Sequence, residues 1–293
     1  MRRRIGALFA AVLVVGATSA VWAAAEPAIP PGVTEIAAPL PLEISGVAAI
    51  PGGYAVVGDD TADHGRLWPS GGRLEIDPAV EDLESIDVGF APGGRELWLV
   101  LGEGARRLVE PGAASDRLPP GFAEVCGRGA EGLAVRWAGD RWQVAVVWEG
   151  GFYDTWRPGC DPPAAFAKPR VAILQWVSGA GIAGPVREFE LDVPVPADGE
   201  RFRAPDLVWD GDGLLVLITS GNQAGRVFSH SWLQRFDLDG RPVGPPDKLE
   251  ERWGAYWAGR NWEALDRTLD GTGLVIGFDT RKAGHHLVIF PYP

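Results

Sequence analysis

Five times along the chain a short strand-like run, a Gly-rich turn and a second, more apolar run follow one another. The first pair covers residues 43–53 and 54–60, and the second covers 84–94 and 97–103. The third covers 131–137 and 142–149, the fourth 203–209 and 214–220, and the fifth 263–269 and 274–279. Runs rich in β-branched and aromatic residues and bounded by Gly, Pro and Asp read as strands, and helical periodicity is almost absent beyond the N-terminal segment. Units recurring at roughly 40–50 residues suit a radial array of small sheets better than a sandwich. A longer third interval leaves room for an insertion, residues 152–168.

Outer strands are expected at 170–176 and 186–191 in the third unit and at 232–238 in the fourth. The last unit runs out after 286–290 without a fourth strand, whereas 33–40 is a spare strand ahead of the first unit. Pairing the two closes the ring and removes an exposed sheet edge. The expected fold is therefore an all-β, five-bladed β-propeller closed by an N-terminal strand, with six blades left open if a weak one lies between 150 and 200.

Aligned on their turns, the inner strands place Glu43, Glu84, Glu131 and Glu263 at one position, with Arg203 in the fourth unit or, in another register, Asp206. An antiparallel hairpin brings the end of its second strand back beside the start of the first. Those ends carry Asp60, Glu103, Glu149 and Asp279, with Ser220, Gly221 and Asn222 in the fourth unit. Acidic groups thus converge on one face from two positions of the repeat. Such a cluster needs a cation, shared protons or arginine to be stable. Calcium suits hard oxygen ligands in a wide site. The structural alternative is that these glutamates accept hydrogen bonds from backbone amides of neighbouring blades.

Residues 1–25 have the basic, apolar and small-residue order of an export signal: Arg2, Arg3 and Arg4, then the run 5–15, then Ala23, Ala24 and Ala25. The expected mature domain is 26–293, periplasmic or secreted, monomeric, and without a transmembrane segment once the signal is cleaved. The net charge is −12, more negative still without the three arginines, which disfavours nucleic acid and favours cations or neutral ligands. In an oxidising compartment Cys126 and Cys160 are expected to form a disulfide, the alternative being two unrelated buried thiols.

The openings Glu131-Gly132-Leu133-Ala134, Asn261-Trp262-Glu263-Ala264, Glu43-Ile44-Ser45-Gly46 and Asp82-Leu83-Glu84-Ser85, each ahead of a Gly-rich turn, resemble the blade openings of the bacterial esterase-like phytase domain family. They are similar also to those of exported propellers of the SdiA-regulated type. The resemblance implies a metal-binding acidic centre and calcium-assisted hydrolysis of a phosphoester or related ester. It makes Glu43, Glu84, Glu131 and Glu263 ligands, and the hairpin ends add Asp60, Glu103, Glu149 and Asp279 as further candidates. Glu131, Glu263 and Arg203 are its candidate catalytic residues, with Arg260 or Arg281 as further anion contacts. The sequence departs from the calcium phytases in having no dense Asp-rich loops. The rival expectation is a non-catalytic module that holds a small molecule or a protein partner on the same face.

Other signals carry less. Gly127, Gly129 and Gly132 match a dinucleotide fingerprint but lead into a strand, not a helix. His64, His230, His285 and His286 lack ligand spacing and are expected at the surface or in loops. Trp98, Trp137, Trp142, Trp148, Trp209 and Trp262 fall in strands and are expected to fill the gaps between blades. Trp156, Trp253, Tyr256 and Trp257 lie in expected loops, either as packing groups or as stacking surfaces for a flat ligand.

Overall fold

The computed structural model describes residues 28–38, 44–58, 65–76, 83–102, 106–123, 128–152, 166–184, 187–195, 200–222, 227–257, 260–279 and 285–293. Residues 1–25, Glu43, Asp60, His64, Glu103, Cys126, Trp156, Cys160 and Arg281 lie outside the described residues, as do the side chains of Asp279 and His285. The disulfide expectation therefore falls wholly outside them.

Five antiparallel sheets form the blades. Blade 1 runs through Gly46–Ile50, Gly53–Val57, Gly65–Trp68 and Gly72–Arg73. Blade 2 runs through Leu83–Ala91, Arg95–Gly102, Arg107–Glu110 and Ala114–Arg117. Blade 3 comprises Ala130–Ala138, Arg141–Trp148 and Arg170–Val177, the last of which pairs with both Gly181–Ile182 and Arg187–Glu190. Blade 4 comprises Glu200–Asp210, Gly213–Asn222, Val227–Phe236 and Asp247–Lys248. Blade 5 takes Asn261–Arg267, Gly273–Asp279 and His285–Pro291 from the end of the chain and Thr34–Ala38 from its beginning. Thr34 faces Ile289 and Ala38 faces His285, so the spare N-terminal strand closes the ring as the sequence implies.

The buried apolar side chains explain why the count is five. They sort into five clusters, one in each gap between neighbouring blades. Successive strand residues point to opposite faces of a sheet, and here both faces are covered. In blade 4, Leu214, Val216 and Ile218 pack toward blade 3, whereas Leu215 and Leu217 pack toward blade 5. That is why each second strand reads as an unbroken apolar run. The stretch between 150 and 200 forms no sixth blade in its described parts. It supplies two short paired strands, Gly151–Phe152 and Phe166–Ala167, and the outer strands of blade 3.

Inner strands meet backbone to backbone where glycine permits it. A Cβ added at Gly46 would lie 2.5 Å from the Ser85 Cα, and one at Gly132 would lie 2.6 Å from the Asp206 Cα. Real side chains cannot approach so closely, so glycine at these two places sets the spacing of blades 1 and 2 and of blades 3 and 4.

Candidate functional site

Glu84, Glu131 and Glu263 occupy one structural position. Each is the extra residue of a β-bulge in its inner strand, between Leu83 and Ser85, Ala130 and Gly132, and Trp262 and Ala264. A bulge re-aims the inserted side chain out of the regular alternation. The bulge of blade 4 instead spans Ala204 and Pro205, so Arg203 pairs with Thr219 just ahead of it rather than sharing the glutamate position.

Arg203 nevertheless sits beside two of these acids, Glu263 and Glu131. Its guanidinium forms an ion pair with Glu263, with both side chains about 15 % exposed. Burial works against the charge of Arg203, but the carboxylates of Glu263, Glu131 and Glu149 more than offset it and raise its pKa. Glu263 also accepts a hydrogen bond from Asn261 Nδ2 at 2.6 Å. Glu149, at the end of the second strand of blade 3, is buried and bonded to Arg128 at 3.2 Å. The acidic convergence of the sequence is thus a mixed acid and base cluster, with Arg203 and Arg128 as its internal cations. Among the described residues no group of three or more His, Cys, Asp or Glu side chains is gathered to hold a metal ion. The described residues alone do not make a calcium cage. Two polar atoms of the cluster, Arg203 Nε and Asn261 Oδ1, are buried without a hydrogen-bond partner.

Below the mouth three aspartates run down the axis. Asp206 Oδ1 accepts from the backbone N–H of Leu207 at 2.9 Å and of Leu133 in blade 3 at 3.2 Å, and its Oδ2 accepts from Leu265 in blade 5 at 2.7 Å. Ser85 Oγ of blade 2 reaches the same carboxyl at 3.5 Å. Blades 2 and 4 are not neighbours, so this contact closes the axial passage at that level. Asp87 of blade 2 accepts the N–H of Val88 at 2.6 Å and that of Val135 in blade 3. Asp266 of blade 5 accepts those of Arg267 and of Ala49 in blade 1, each at 2.6 Å. Each carboxyl therefore ties its inner strand to that of a neighbouring blade.

Their charge is disfavoured. Burial pushes Asp87 up to about 7 against its amide hydrogen bonds. Burial, and then the charge of Asp87, raises Asp266. Asp206 is raised by burial as well. Asp87 and Asp266 line a cavity of about 200 Å³ at the hairpin-turn end of the axis, to which all five inner strands contribute. Sequence reasoning reached Asp206 only as an alternative register and missed Asp87 and Asp266.

Of the two roles open to Tyr256 and Trp257, packing or stacking on a flat ligand, the structure shows packing. They are 2 % and 1 % exposed and plug the gap between blades 4 and 5, where Trp257 lies 3.8 Å from the ring of Trp262. Trp253 packs on Phe290 at 4.9 Å. Trp142, Trp148 and Trp262 are buried between blades as expected. His286 is no free surface histidine: it stacks on Phe278 and lies 2.8 Å from Glu35 of the closing strand. Arg260 lies between the rings of Tyr256 and Phe278, 4.2 and 4.3 Å from their centres, and 3.8 Å from Glu35.

No protein-family model and no curated protein matches the chain. A solved structure, YCF48 bound to D1 peptide, aligns over 92 % of this chain and 99 % of its own at 12 % identity and a TM-score of 0.36. At that level the likeness carries no argument about function, and the propeller rests on the strand pairing described above.

Proposed function

We propose that this β-propeller is an exported binding module that uses the mouth beside Arg203 to hold a polar small molecule or a segment of a partner protein. The observation that carries this reading is the ion pair between Arg203 and Glu263, with Glu131 and Glu149 near enough to act on the same guanidinium. A metal-centred hydrolase needs carboxylates free to ligate and an open coordination position. Here Glu263 is engaged by Arg203 and Asn261, and Glu149 by Arg128. Arg203 Nε and Asn261 Oδ1 supply an unsatisfied donor and acceptor, which buried sites normally pair with solvent or a ligand.

The second reading is the calcium-dependent phosphoester or ester hydrolase implied by the resemblance to esterase-like phytases. The shared bulge position of Glu84, Glu131 and Glu263 favours it, because a repeated placement of one acid is what a symmetric ligand set requires.

One experiment separates the two. The purified protein is assayed on a generic phosphomonoester and a generic carboxylester, with calcium and with chelator, while calcium is titrated against the melting temperature. The binding-module reading expects no turnover and a melting temperature insensitive to chelator. Calcium-dependent turnover that disappears in folded Glu131→Gln and Glu263→Gln variants would establish the hydrolase instead.

A further inference from the structure

The third strand of blade 4 presents His230, Trp232, Gln234 and Phe236 on a single face, since alternate strand residues share a side. Ile218 lies beside Trp232 across the sheet on one flank and Lys248 on the other. Opposite this face runs the segment leaving blade 3. Asp192 N in that segment donates to Gly240 O at 2.7 Å, and Leu191 N donates to Pro169 O at 2.8 Å. Those bonds fix the segment to blades 3 and 4 at once, so the space between is preformed. It is a cavity of about 470 Å³, walled by Trp232, Phe236, Ile218, Val193 and Pro194. That volume falls within the roughly 300–1,000 Å³ range of small-molecule sites, which are mostly apolar with a few polar groups that set orientation.

The charge within it has a sign. Glu250 is the most enclosed ionic group of the lining, with its side chain 19 % exposed, and is held by Ser231 N at 3.0 Å and His230 at 3.2 Å. The Lys248 ammonium is half-exposed and turned onto Glu251 at 2.6 Å. Asp192, the other acid of the lining, faces Lys168 at 2.6 Å. A partly exposed indole wall attracts a cation through its ring face, and Glu250 attracts it at the end. The net negative charge of the chain adds a favourable long-range field.

We infer that this groove between blades 3 and 4 is a second binding site, independent of the Arg203 mouth, for a flat aromatic molecule carrying an amine. The ring stacks against Trp232 and the ammonium points to Glu250.

Calorimetric titration with three probes that share one ring tests this: tryptamine, indole and indole-3-acetate. Tryptamine is expected to bind saturably and more tightly than indole, with indole-3-acetate weakest. Trp232→Ala and Glu250→Gln are expected to weaken tryptamine at least tenfold. Val193→Trp, which fills the groove from its opposite wall and leaves Trp232 in place, is expected to abolish binding. No saturable binding, tighter binding of indole-3-acetate than of tryptamine, or unchanged affinity in folded Val193→Trp would each overturn the assignment.

Discussion

Asp206 of blade 4 accepts the backbone N–H of Leu265 in blade 5 on one oxygen and that of Leu133 in blade 3 on the other, so one carboxyl joins three consecutive blades. Replacing it by Leu leaves these two amides and that of Leu207 buried without an acceptor. Each such orphan costs about 1–3 kcal/mol. Asp206→Leu is expected to lose about 3 kcal/mol or more in urea unfolding, and Asp206→Asn, which keeps one acceptor oxygen, distinctly less. Equal stability of the Leu variant and wild type would show that the amides find other partners.

The axial acids also set a pH dependence. Asp87 has a folded pKa of about 7 against an ordinary value of 3.8, so between these limits the folded state holds more protons than the unfolded chain. Its contribution to stability is complete below about pH 4 and is lost as pH rises through about 7. Asp266 and Asp206 are shifted in the same direction. The melting temperature is expected to fall from pH 5 to pH 8, and Asp87→Asn to fall less steeply. Because self-repulsion of an acidic chain has the same sign, the difference in slope between variant and wild type is the informative quantity.

Arg203 is the cation that makes the mouth possible. Arg203→Met leaves Glu263, Glu131 and Glu149 without their shared counter-charge, and breaking a buried pair from one side costs about 3–5 kcal/mol. The variant is expected to be destabilised by an amount near that range and to regain part of it on addition of calcium, which takes the place of the guanidinium. Thermal melts with and without calcium check both halves. A variant indifferent to calcium would mean that the glutamates cannot converge on an ion.

Gly46 tests the spacing of the ring. Gly46 does not have a positive φ, so the cost of Gly46→Ala comes from contact with the main chain of Ser85 and Ile86. The added methyl would meet main-chain atoms that cannot rotate away, and overpacking of this kind costs about 1–3 kcal/mol. Gly52→Ala in the neighbouring turn has open space around it but a φ of +85°, so any loss there reports backbone strain instead. Chemical denaturation of the two variants separates these causes.

The hairpins were legible because strands buried on both faces have nowhere to place polar groups, and Leu214 to Ile218 shows the pattern plainly. The closing strand was legible because the fifth unit is one strand short. The register of Arg203 was not. Counting back from the turns assumes equal hairpins, yet the turn has two residues between Ala138 and Arg141 and three between Ala91 and Arg95, and the bulge of blade 4 sits elsewhere. The axial aspartates escaped for a different reason. A single Asp in a strand looks like a solvent-facing residue, and one of the two amides that hold each of Asp87 and Asp266, that of Val135 or Ala49, belongs to another blade. Tyr256 and Trp257 were ambiguous because a segment outside regular strands can still plug a gap between sheets.

The pairing of Thr34–Ala38 with His285–Pro291 has a consequence for how the molecule is made. During synthesis the strand translated first must wait for the one translated last, so four blades can form while the fifth stands incomplete. Glu35 acts as the latch, through Tyr256 at 2.6 Å and His286 at 2.8 Å. Since Thr34–Ala38 and His285–Pro291 lie side by side in one sheet, joining the two ends with a short linker and opening the chain between blades 1 and 2 should preserve the ring while making all five blades contiguous in sequence.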